Sequence, residues 1–184
     1  MKKIFTIVAI LCISVASLSA QTTKEKAQAG INSLKTRTVG EQGYTHGLGL
    51  KGGVGGVMLN YKGFVTPKNF LDLGVNFGFM AHDGSSASAF SLAAQLSYNW
   101  NFNIAGIEGF YWYVGPGIRG GILLGNPVGG LIGVYGQIGL EYKFKIPLAL
   151  SLDWTPGLDI GIYSNAAGVG FGWQGINLGI KYAF

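Results

Sequence analysis

Nine charged residues, Lys51, Lys62, Asp72, Arg119, Glu141, Lys143, Asp153, Asp159 and Lys181, stand inside alternating stretches of a chain that is only 11% charged. Five are basic and four acidic, so they are close to balance. Charges taken out of water need partners, which makes them candidates for an ion-pair network holding a lumen shut. Rings of charge also set ion preference in a narrow pore, so Arg119 with Asp153, Asp159 and Glu141 carries a second reading as a selectivity constriction. His82-Asp83 with Ser85 and Ser86 contains the residue types of acyl hydrolysis or transfer. Adjacency in sequence does not supply the geometry that a base and nucleophile need, and the run reads as a surface loop. Gly47-Leu48-Gly49-Leu50-Lys51-Gly52 spells G-x-G-x-x-G, yet no helix pattern follows, which leaves small residues on a strand. His46 falls near an expected rim, and two histidines make a poor metal site. No catalytic, metal or cofactor residue is assigned, and the chain is not read as an enzyme.

The elements that carry these charges have a period of two. Ile176, Leu178, Ile180, Tyr182 and Phe184 alternate with Gly175, Asn177, Gly179, Lys181 and Ala183. Leu148 to Ile162, Ile132 to Phe144, Phe110 to Ile118, Phe90 to Trp100, Leu71 to Phe79 and Val57 to Val65 repeat the pattern, and Leu48 and Leu50 against Gly49 and Lys51 give a weaker run. Alternation marks one face of a strand, and the runs make eight. All nine charges fall on the polar face, an outcome that chance gives about once in 500 trials.

Membrane export explains where the apolar face goes. Met1-Lys2-Lys3 followed by apolar Ile4 to Ala16 and Ser17-Leu18-Ser19-Ala20 reads as a signal peptide (1–20) cleaved after Ala20 or Ser19. Cys12, the one cysteine, leaves with it. Without Lys2 and Lys3 the 13 basic residues fall to 11 against 8 acidic, too mild a charge to suggest nucleic acid. An open sheet in lipid would leave edge amides unpaired, so residues 43–184 are expected to close into an all-β, eight-stranded antiparallel up-and-down transmembrane β-barrel. Residues 21–42 lack the alternation and read as a flexible periplasmic lead-in. The connections Thr66-Pro67-Lys68-Asn69 and Lys145-Ile146-Pro147 are short, while 81–89 and 124–130 are longer, which places the short turns in the periplasm. Trp100, Phe102, Phe110, Trp112, Tyr142, Phe144, Tyr182 and Phe184 then gather as an aromatic girdle near that rim. An eight-stranded barrel is just wide enough for side chains to fill, which favours a plugged lumen over a porin-like channel for ions or small solutes.

Asn177, Gly179, Tyr182 and Phe184 resemble the signal read by the outer-membrane barrel assembly machinery: a polar residue, a glycine two on, then aromatics at the third-last and last positions. With the export segment and the stretches Tyr111-Trp112-Tyr113-Val114-Gly115-Pro116-Gly117 and Gly139-Leu140-Glu141-Tyr142-Lys143-Phe144, the chain resembles the small outer-membrane beta-barrel domain family, of OmpA/OmpX-like size. The resemblance implies a place in the bacterial outer membrane, outer-membrane lipid and the assembly machinery as partners, and a structural or surface-interaction role. It names no extracellular ligand and no cofactor. Some small outer-membrane barrels modify lipids, which is the remote enzymatic alternative for the His82 run.

Overall fold

The computed structural model describes residues 39–53, 56–81, 88–125, 128–163, 166–172 and 175–184. Ten strand segments follow one another: β1 (His46–Gly53), β2 (Gly56–Phe64), β3 (Asn69–Ala81), β4 (Ser88–Asn103), β5 (Phe110–Leu124), β6 (Gly129–Lys143), β7 (Leu148–Trp154), β8 (Gly157–Tyr163), β9 (Ala166–Gly172) and β10 (Ile176–Ala183). Consecutive strands pair antiparallel from β1 to β6, and β1 pairs with β10, so the sheet closes on itself. Closure gives β1 to β8 and β10 a paired neighbour on each side, and β9 pairs with β8.

Ten segments make eight wall strands because two long strands are interrupted. Against β6, Ile138↔Trp154 and Tyr135↔Gly157 keep one register, so β7 and β8 are a single strand whose ladder breaks at Pro156, which has no N–H to give. The last strand is different. Trp154 faces Ile176 and Gly157 faces Gly172, so the pairing register shifts by one residue between β9 and β10, the offset of a β-bulge. The bulge reverses the facing of the side chains. Val169 and Phe171 point outward before it, and Ile176 and Leu178 after it. Thr155 N and Oγ1 and Asn177 Nδ2 all donate to Gly175 O there, at 3.0, 3.1 and 3.1 Å.

Paired residues traced from Gly53 to Asn177, Asp153, Gly139, Tyr113 and Asn101 and on past Lys68 step down the wall. The stagger is about ten residues per circuit, which for eight strands tilts them by about 40°. The alternation holds in the runs where the sequence displays it, which do not include β9. Leu48, Leu50, Leu59, Leu73, Leu96, Ile118, Ile138, Leu152 and Leu178 are exposed on the outside, whereas Lys51, Lys62, Asp72, Glu141, Asp153 and Lys181 are buried within. Aromatic rings crowd the end that holds the turns 65–68, 104–109 and 144–147: Phe102 stacks on Trp112 at 4.5 Å, and Tyr142 meets Phe144 edge-on at 4.8 Å. The long fourth connection owes its shape to Gly106 and Gly109, with φ of 87° and 82°, and a Cβ at Gly109 would lie 2.5 Å from Lys143 O.

Residues 39–42, the end of the expected lead-in, turn across the barrel mouth. Gly43 N donates to Gly40 O and Gly40 N to Tyr44 O, each at 2.9 Å. Glu41 N bonds to Pro67 O, and Tyr111 Oη donates to Glu41 O. Gly40 lies flat under Phe64, whose ring comes within 2.5 Å of where a Cβ would be. Gln42 and Tyr44 reach inward and are buried, so this part of the lead-in is a strap built into the barrel.

Candidate functional site: the ion-paired lumen

Three strands bring a carboxylate between two lysines. Glu141 on β6 receives Lys62 from β2 at 3.0 Å and Lys181 from β10 at 2.6 Å, and all three side chains are at most 1% exposed. Tyr44 Oη donates to the same carboxylate at 2.6 Å. Burial first, and then the Glu141 charge, hold the Tyr44 phenol well above its ordinary pKa, so it remains a donor. A second cluster joins Lys51 on β1 to Asp72 on β3 at 2.9 Å and to Asp153 on β7 at 3.0 Å. Asn60 also donates to Asp72, and Tyr113 to Asp153. Three buried ammonium groups thus face three buried carboxylates, which leaves the packed lumen neutral.

Gln137 braces the second cluster, bonding to both of its carboxylates. It donates to Asp153 at 3.1 Å and to Asp72 at 3.5 Å, and accepts from Ser97 Oγ and from Asn99 Nδ2. Lys62 is further enclosed by rings. Its Nζ lies 3.9 Å from the Phe70 centroid, 4.9 Å from Phe64 and 5.4 Å from both Tyr44 and Tyr113, and it donates to Gln42 Oε1 at 2.9 Å. Ring faces attract a desolvated ammonium by about 2 kcal/mol. The cage was not read from the sequence, although Phe64 and Phe70 have the parity of the polar face, where an aromatic is out of place in a solvated strand.

Arg119 and Asp159 form a separate pair higher in the lumen. Nε donates to Oδ1 and Nη2 to Oδ2, both at 2.6 Å, and the side chains are 17% and 29% exposed. Arg119 therefore holds neither Asp153 nor Glu141, which belong to the lysines. Around and above it the wall is glycine: a Cβ at Gly168 or Gly170 would meet nothing within 4 Å, so the lumen is open towards that end. The lumen is packed in the half near the turns and wide in the other. Lys143, also expected in the network, is at the rim instead, where Nζ donates to the carbonyls of Phe144 and Ile146.

The remaining sequence candidates divide clearly. His82, Asp83, Ser85 and Ser86 lie outside the described residues. Gly47 to Gly52 is strand β1 throughout. His46 faces outward between Tyr61 and Phe184, with Nδ1 2.7 Å from Tyr61 Oη. Of the four residues expected to form an assembly signal, Asn177 and Gly179 face inward, the latter leaving room for Ser151 and Lys51, while Tyr182 and Phe184 present neighbouring rings outside. Phe184 exchanges backbone bonds with His46 and so closes the seam between the first and last strands. No family model, no curated protein and no solved structure matches the chain.

Proposed function

We propose that this protein is an integral β-barrel of a bacterial outer membrane with a non-conducting, ion-paired lumen and a structural or surface-interaction role. The observation that carries the reading is the inversion of the fold. Six charged side chains are buried inside, while leucine, isoleucine and valine cover the described exterior, an arrangement that water would penalise and hydrocarbon rewards. A girdle of tryptophan, tyrosine and phenylalanine at the turn end supports it, as interfacial rings do in such barrels. The export segment 1–20 and the pattern at Asn177, Gly179, Tyr182 and Phe184 agree with delivery by the barrel assembly machinery.

The test is to refold residues 21–184 in vesicles containing brominated lipid and then in planar bilayers. Outward Trp100, Trp112 and Trp154 are expected to be quenched while the bilayer stays electrically silent. Unquenched tryptophans from a folded chain would refute membrane insertion. Steady openings altered by Arg119→Ala would replace the closed lumen with the narrow-channel reading.

A further inference from the structure

Two prolines interrupt the outer wall side by side, and each withholds a hydrogen bond from a carbonyl. Pro116 faces Gly136 across β5 and β6. The same registers set Tyr98 opposite Pro116, between Ser97↔Gly117 and Trp100↔Val114, and Gly136 opposite Pro156. Gly136 N donates to Pro156 O at 2.9 Å. Such a pair normally exchanges two bonds, but Pro156 has no N–H to return, so Gly136 O lacks its ladder donor. Alternate residues bond to opposite neighbours. With Gly136 turned towards Pro156, Pro116 is turned towards β4, where it withholds the same bond from Tyr98 O.

Tyr98, Pro116, Gly136 and Pro156 all line one recess of about 650 Å³ on the outer face, bounded by Leu96, Ile118, Val134 and Leu158. The Tyr98 hydroxyl is already engaged with Asn69 Nδ2 at 2.7 Å. Pro116 lies near the middle of the 15-residue β5, and below it the Tyr98 ring meets Trp100 of the girdle edge-on at 5.5 Å. A carbonyl without a donor is costly in hydrocarbon. The site is therefore an apolar recess with two acceptors and no charge, running from the girdle to the middle of β5. We infer that this recess binds a membrane lipid whose acyl chain carries a mid-chain hydroxyl: the chain fills the recess and the hydroxyl donates to the Tyr98 or Gly136 carbonyl. The inference rests on the membrane reading above. An ammonium group would find no carboxylate there, and the row Leu96, Ile118, Val134 and Leu158 holds a second barrel's backbone away.

The experiment compares urea unfolding of the wild type, Pro116→Ala and Pro156→Ala in vesicles of phosphatidylcholine bearing either a 12-hydroxystearoyl or a stearoyl chain. The hydroxylated lipid is expected to raise the wild-type folded-to-unfolded ratio about fivefold, the equivalent of one net hydrogen bond. Each alanine restores an N–H to one carbonyl, so each variant is expected to lose part of that gain, and the double variant all of it. Should Pro116→Ala not fold, Pro156→Ala carries the comparison. Equal stability of the wild type in the two vesicles, or an undiminished gain in the double variant, would overturn the inference and leave the membrane reading standing. Failure of the wild type to insert into either vesicle would overturn both.

Discussion

Replacing Glu141 by Gln keeps the shape of the side chain and removes the one charge that two buried lysines share. Lys62 and Lys181 lie 3.0 and 2.6 Å from that carboxylate, and neither is more than 1% exposed. The other acids of the packed half are committed to Lys51, at 2.9 Å from Asp72 and 3.0 Å from Asp153. The variant therefore strands two ammonium groups in a lumen with two carboxylates to three lysines, and breaking a buried pair from one side costs about 3–5 kcal/mol. The rings around Lys62 return about 2 kcal/mol at most, and they were already in place before the substitution, so they do not reduce the difference. Urea unfolding in vesicles, followed by tryptophan emission, measures the loss. The double variant Glu141→Gln, Lys62→Met tests the cause: with one stranded charge removed, it is expected to be more stable than Glu141→Gln alone. A Glu141→Gln cost below about 1 kcal/mol, or simple additivity of the two changes, would refute the claim that the lumen is held by charge pairing.

Three further outcomes follow from the packing. Gly139→Ala places a Cβ 2.3 Å from the Tyr113 ring and is expected to cost about 1–3 kcal/mol in the same unfolding assay, whereas Gly168→Ala, with nothing within 4 Å, is expected to stay within about 0.5 kcal/mol. Arg119→Ala removes a pair that is partly exposed on both sides, so its loss is expected to be about 1 kcal/mol, well below that of Glu141→Gln; a larger loss would show that the upper pair helps hold the barrel. Gly40→Val sets a Cβ 2.5 Å from the Phe64 ring and is expected to displace the strap, seen as protease cleavage at residues 39–45 while the strands remain resistant. Unchanged resistance there would mean that the strap tolerates the bulk.

The wall was legible because its signal is local. Each strand declares its own faces through alternate residues, and the charges fell on the inner face in every run for which a phase could be read. The exception is the last strand, where the one-residue register shift between β9 and β10 reverses the facing of Val169 and Phe171, and no period survives such a reversal. Pairing across the lumen was not legible for a different reason. Lys62 and Glu141 are separated by 79 residues and meet only because the stagger of the closed sheet brings β2, β6 and β10 to one level. Side-chain parity gives the direction in which a residue points; its height depends on every register between the two strands. That is why the sequence grouped Arg119 with Asp153 and Glu141, which the structure gives to Lys51 and to Lys62 with Lys181. It is also why Lys143, inward by parity, is at the rim: it lies one residue from the end of its run, where the carbonyls of the turn are nearer than any lumen acid. The strap escaped notice because Gln42 precedes the alternating runs, while Tyr44, at the start of the weakest one, has the parity of outward Leu48 and Leu50 yet turns inward, and the two complete the cage of Lys62. Direction is therefore a property of each strand, while partnership is a property of the closed barrel.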